Sequence, residues 1–125
     1  MVSFQIGAIL VLIIAGLSLN VSYLRITRRV SLGDGGDKSL RNGIRAHGNA
    51  IECFLPFMII LYFYERQGAD AALIWSWGLL FLGSRLLHIV GMLAYKIPFR
   101  HRMRQVGAFF TLVCLVAIPV LILVD

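Results

Sequence analysis

The chain has 125 residues, 59% of them hydrophobic and 14% charged, with a mean hydropathy of +0.85. A soluble domain of this length has too little interior to hide so much apolar surface, so lipid is the solvent for most of the chain. Twelve Lys and Arg against six Asp and Glu give a formal net charge of +6; in a membrane protein that excess first reports which loops are cytoplasmic, and no nucleic-acid partner is implied.

About 20 mostly apolar residues cross the ~30 Å of hydrocarbon in a bilayer. Four segments qualify, which predicts an all-α membrane protein built as a four-transmembrane-helix antiparallel bundle. The first runs from Ser3 to Leu24 and carries no charge. It lacks the positive n-region and cleavage site of a signal peptide, so it reads as a retained span. The connection that follows holds Arg25, Arg28, Arg29, Lys38 and Arg41. Within it Gly33-Asp34-Gly35-Gly36 is turn-forming, and Asp37 is placed to cap the next helix.

The second helix begins amphipathically near Leu40 and is fully apolar from Cys53 to Tyr64, which puts its span at about 46–64 and lets its first turns project from the membrane. The third span covers 71–95 and is interrupted by Arg85 and His88; the fourth covers 106–124, with Pro119 tolerated among bundle neighbours. The last connection carries Lys96, Arg100, Arg102 and Arg104, whereas the one between the second and third spans carries only Arg66. The positive-inside rule therefore places the first and third connections in the cytoplasm and both termini on the other side. A single domain over 1–125 is expected, and so small a bundle favours a homo-oligomer. Cys53 and Cys114 lie inside apolar runs that suggest neither a disulfide nor a metal site.

Arg41, Arg45, Asn49, Glu52 and Pro56 recur at steps of four, four, three and four, so they share one face of the second helix. Ionisable groups in a span are costly and commonly face the bundle interior. A structural salt bridge from Arg45 or Arg85 to Glu52 would account for part of this stripe. The positive excess argues for more, because Glu52 neutralises one arginine while Arg45, Arg85 and Arg104 are all expected at the cytoplasmic mouth of the bundle. Such a cavity calls for an anion. Arg85, His88 and Met92 share a face of the third helix, and His47 lies on the side of the second helix away from Arg45 and Asn49, where it could reach a neighbouring copy. Trp75, Trp77, Tyr62, Tyr64 and Tyr95 read as interfacial anchors. Gly78, Gly83 and Gly91 read as sites of close helix packing.

The stretch Arg45-Ala-His-Gly-Asn49-Ala-Ile-Glu52, followed by Pro56, resembles the signature of the membrane-associated proteins in eicosanoid and glutathione metabolism, the MAPEG family. The turn Gly33-Asp34-Gly35-Gly36 and the run Gly83-Ser84-Arg85-Leu86-Leu87-His88 extend the likeness over essentially the whole chain, closest to the small bacterial YecN-like members. The resemblance implies a homotrimer in the bacterial inner membrane, with glutathione as co-substrate between protomers at the cytoplasmic ends of the helices. It carries glutathione contacts over to Arg45, Asn49 and Glu52, a neighbour's contribution to Arg25 and His47, and thiolate stabilisation to Arg104, or to Arg102 if the loop aligns one turn differently. Arg85 and His88 join the binding set through their shared face. The likeness departs from the family where Met92 and Cys53 stand at positions often tyrosine, and where three residues rather than two separate Glu52 from Pro56.

Two functions follow from that resemblance. One is a glutathione-dependent transferase or peroxidase acting on a lipophilic electrophile or lipid hydroperoxide; the other is a non-catalytic protein binding lipid or glutathione. The charge pattern fits the ligand, since glutathione carries two carboxylates and one ammonium, and arginine recognises carboxylates bidentately. A small cation exporter would want a negative cavity, and a haem pair from His47 and His88 is disfavoured by the position of His47.

Overall fold

The computed structural model describes residues 1–124, so Asp125 of the expected 1–125 domain lies outside the described residues. It contains four helices, α1 (Val2–Arg28), α2 (Lys38–Arg66), α3 (Ala71–Leu93) and α4 (Arg100–Val124). Each is long and apolar enough to span a bilayer. With 29 residues, at about 1.5 Å per residue α2 outreaches the hydrocarbon, and its basic first turns project beyond it.

Neighbouring helices run antiparallel. Gly7 near the start of α1 meets Met58 late in α2, and Gly43 early in α2 meets Asn20 and Leu24 late in α1. Phe57 of α2 stacks on Phe81 of α3 with centroids 3.6 Å apart. Gly91 at the end of α3 faces Arg100 and Arg104 at the start of α4. Among the described residues α1 and α4 make no contact, so α2 and α3 form the central pair and the outer helices pack on either side.

The ends of the helices follow from local chemistry. Arg29 closes α1 in the left-handed region (φ 55°), with its own N–H donating to Ile26 and the Val30 N–H donating to Arg25, 3.3 and 3.0 Å. That pair of bonds satisfies two of the carbonyls a helix end leaves open. Asp37 caps α2 as its position predicted, accepting from the Leu40 N–H at 2.8 Å, and Asp70 caps α3 through Ala72 at 2.9 Å. The first turn of α1 has no acidic residue of its own. Glu65, at the far end of α2, supplies one by accepting from the N–H groups of Val2 and Ser3 at 2.6 and 2.9 Å.

Several expectations are corrected here. The third helix stops at Leu93 rather than Tyr95, and α4 begins at Arg100, two turns before the predicted Val106. Arg100, Arg102 and Arg104 are therefore helical, and the connection shrinks to 94–99. Tyr64 belongs to the core, 5% exposed, rather than to the interface. Gly83 permits no close approach, since nothing would meet a Cβ there. Gly91 does, and so does Gly107: a Cβ on Gly107 would lie 2.5 Å from the Ser84 carbonyl oxygen and 2.7 Å from the His88 backbone nitrogen. Both contacts are with backbone, which cannot swing away.

Replacing Gly107 with Ala should therefore cost stability despite a gain of up to about 1 kcal/mol in helix propensity. Overpacking against a rigid neighbour costs roughly 1–3 kcal/mol, and a lowered Tm for Gly107→Ala in detergent is the expected result. An unchanged or raised Tm would show that α3 and α4 separate freely.

Candidate functional site

The apolar face of α2 carries Leu40, Gly43, Ala46, Ala50, Phe54, Phe57, Leu61 and Tyr64, all buried. At 100° per residue the predicted polar stripe points almost the opposite way, and Arg41, Arg45, Glu52 and Pro56 are exposed. This corrects the expectation that the stripe faces the bundle interior. Asn49 and Cys53 lie on the flank between the two faces, half-buried, and reach α3 and α4. His47 is half-buried on the other flank.

Arg85 is the largest side chain buried in the molecule, 1% exposed. Its Nη2 donates to Asn49 at 2.6 Å. Because a guanidinium can only donate, the Asn49 amide must present its oxygen. Nη1 points to the Thr111 hydroxyl at 3.5 Å, whose own proton goes to the Gly107 carbonyl at 2.8 Å. The Cζ lies 6.0 Å from the Phe54 ring centroid, and Nε is buried with no partner. Every neighbour is neutral. The ion pairs among the described residues are Arg28–Asp37 and Arg41–Asp34, both at the connection between α1 and α2, so the structural salt bridge considered for Glu52 is not made.

His88 is buried beside this group, its Nδ1 3.1 Å from the Arg104 carbonyl oxygen. A carbonyl only accepts, so Nδ1 carries the proton and the neutral ring keeps Nε2 as an acceptor. Asn49, Cys53, Arg85, His88 and Thr111 line one open cavity of about 260 Å³, together with Ala108, Leu112 and Leu115 of α4. A buried cation whose partners are all neutral has its charge uncompensated. The cavity is therefore suited to a carboxylate or a thiolate.

The other predicted residues lie elsewhere in the chain. The Arg104 main chain holds His88, while its side chain is exposed. Arg25 folds onto its own connection, donating to the carbonyls of Val30, Ser31 and Gly33, the last at 2.9 Å. Arg45 lines a separate hollow of about 400 Å³ with Gly33, Asp34, Arg41 and Ile44. There the hydrogen bond from Arg41 holds the Asp34 carboxyl below the usual carboxylate range. Of the arginines expected at the mouth of the bundle, only Arg85 is inside it. Thr111 escaped sequence reasoning although it is the one hydroxyl among residues 106–124, which was the available signal.

A bundle of four spans that buries an arginine against the polar flank of its second helix defines an integral, multi-pass membrane protein with a cationic pocket. The chain belongs to the MAPEG family, whose sequence profile matches residues 3–124. It is similar to inner membrane protein YecN of Escherichia coli K12, with 36% identity over 104 residues, 82% of this chain and 73% of that protein. The protein of the same name from Escherichia coli O6:H1 matches to the same extent.

The polar set around Arg85 makes opposite predictions for two substitutions. Asn49→Ala orphans a buried charged donor and should lower the Tm in detergent, by about 1–3 kcal/mol of stability. Arg85→Met removes an uncompensated cation at similar volume, so the Tm should hold or rise. A fall of many degrees for Arg85→Met would mean that the arginine is there to hold the helices together.

Proposed function

We propose that the chain is a glutathione-dependent transferase or peroxidase of the bacterial inner membrane that acts on a lipophilic electrophile or a lipid hydroperoxide. The observation that carries this reading is the buried Arg85 without a carboxylate partner, in a cavity shared with Asn49 and His88. Family membership supports glutathione as the anion. The inner-membrane placement agrees with the name of the relatives, and the distribution of arginines supports an orientation with both termini on the non-cytoplasmic side.

In this reading three copies assemble, and the exposed stripe of α2 turns toward a neighbour. Arg45 takes a glutathione carboxylate and Glu52 takes the ammonium, while Asn49, Arg85 and His88 hold the part of the ligand that enters the cavity. Arg25 and His47 contribute from the adjacent protomer. Arg104, on the first turns of α4, favours the thiolate, which is the nucleophile; Arg102 lies half a turn away and is the alternative. Binding in a water-poor site strengthens each of these charge contacts. The lipophilic substrate enters laterally from the bilayer. An apolar groove of about 370 Å³ between α1 and α2, lined by Leu10, Ile14, Phe54 and Met58 among others, is open to such a molecule.

A second reading, a non-catalytic binder of lipid or glutathione, is favoured by one feature: Cys53 and Met92 supply no phenol to hydrogen-bond a thiolate.

Calorimetry on the detergent-purified protein tests the glutathione reading. Wild type should bind, and Arg45→Ala should bind at least tenfold more weakly, about 1.4 kcal/mol; a folded wild type that does not bind overturns the enzyme reading and the glutathione-binding form of the second. Turnover of a model electrophile separates them. Arg104→Ala should lower kcat by roughly 10²–10³ if the arginine stabilises the developing charge, and undiminished turnover would remove that role from it.

A further inference from the structure

The chain has two cysteines, both free, and their surroundings differ. Cys114 is fully buried in the core. Cys53 is half-buried on the flank of α2 and opens into the cavity that holds Arg85 and His88. The same cavity contains a guanidinium 99% shielded from solvent, one of whose donors, Nε, has no partner. It also contains an imidazole whose Nδ1 is committed to the Arg104 carbonyl, leaving Nε2 to accept a proton. A nearby cation without a counter-ion and a base both favour thiol–disulfide exchange at a thiol, since a thiolate attacks and a thiolate leaves.

We propose that Cys53 exchanges with glutathione disulfide, taking one glutathionyl group as a mixed disulfide inside the membrane-embedded cavity. The proposal rests on the glutathione reading and adds a second chemistry to the same site. In the forward step the Cys53 proton passes to Nε2 of His88 and the sulfur attacks one sulfur of the disulfide. The S–S bond between the two glutathionyl groups breaks as the bond to Cys53 forms. The displaced glutathione leaves as a thiolate and takes up the proton. The reverse step, attack by a glutathione thiolate on the mixed disulfide, re-forms glutathione disulfide and frees the Cys53 sulfur to take back the proton, so the exchange is reversible and needs no oxidant besides the disulfide. A cavity of about 260 Å³ is at the small end of small-molecule sites, roughly 300–1,000 Å³. It therefore seats one arm of the disulfide, with the leaving arm at the mouth beside the exposed Leu112.

The test uses the full-length reduced protein in detergent, treated at neutral pH with glutathione disulfide or with the neutral hydroxyethyl disulfide, and read by intact-mass spectrometry. Wild type should gain one glutathionyl group, mapped to Cys53, lost in Cys53→Ser and kept in Cys114→Ala. Glutathione disulfide should react faster than the neutral disulfide, and Arg85→Met should reduce that ratio about tenfold, as expected when the cation that selects the anionic disulfide is lost. If wild type reacts no faster with the charged disulfide, Cys53 is merely an accessible thiol and the proposal fails. The absence of an adduct in protein that binds glutathione by calorimetry overturns this proposal alone. Absence of calorimetric binding overturns the glutathione reading itself.

Discussion

The contact between Arg85 and Asn49 is the constraint on which the geometry of the cationic pocket depends. It ties α3 to α2, and through Thr111 it reaches α4, so three of the four helices meet at one guanidinium. For that meeting α4 must lie close to α3. Gly107, directly against the Ser84 and His88 backbone, allows this approach. The Thr111 hydroxyl then falls within reach of both Ser84, at 3.0 Å, and Arg85. Phe54, whose ring centroid lies 6.0 Å from the guanidinium carbon, packs edge-on against Phe81, which in turn stacks on Phe57. These arrangements make the charge dry, and dryness is what gives it leverage over an anion. A hydrophobic residue of similar size would pack in that position at less cost, so the arginine is better explained by what it binds than by what it stabilises.

The fold was largely legible from the chain, because lipid imposes a strict rule: backbone polar groups must be satisfied within the helix, so four long apolar runs become four helices. Asp37 was legible as a cap because its chemistry is local. Glu65 was not, since it caps a helix more than sixty residues away in sequence, and only tertiary packing brings the two ends together. The two extra turns of α4 were hidden because hydropathy marks where a helix enters lipid, not where it starts. Arg100, Arg102 and Arg104 are helical and polar at once.

The site was legible in part. Spacing put Arg45 and Glu52 on one face, with Asn49 at its edge, but periodicity does not say which way a face turns. The buried residues of α2 show that it turns outward and that only the Asn49 flank reaches Arg85. The role of Arg25 as a clasp on the α1–α2 connection depends on the course of that connection, which the glycines leave open. Cys53 opens an apolar run in the sequence, which suggested neither a disulfide nor a metal site. Its neighbours in space are Arg85 and His88, and chemistry follows those.

The outward stripe bears on assembly. Ile51 and Leu55, on either side of Glu52, line a groove with Leu10, Val11 and Ile14, near the middle of the 27-residue α1. Glu52 is therefore well inside the apolar span of α2, about 46–64, and it is exposed on the surface of the single chain. An acidic group facing lipid at that depth costs on the order of 3 kcal/mol or more, a sizeable fraction of the 5–15 kcal/mol or so by which a typical domain is stable. Snorkelling does not relieve it, because a glutamate is too short to reach either interface from there. Within the chain no cation pairs with it among the described residues. The burden is lifted if a second protein surface covers α2 and brings donors to the carboxylate. A copy of the same chain is the simplest such surface, since its own α2 presents Arg45 on the same face. The cost of leaving Glu52 in lipid is thus a physical argument for assembly that is independent of any ligand.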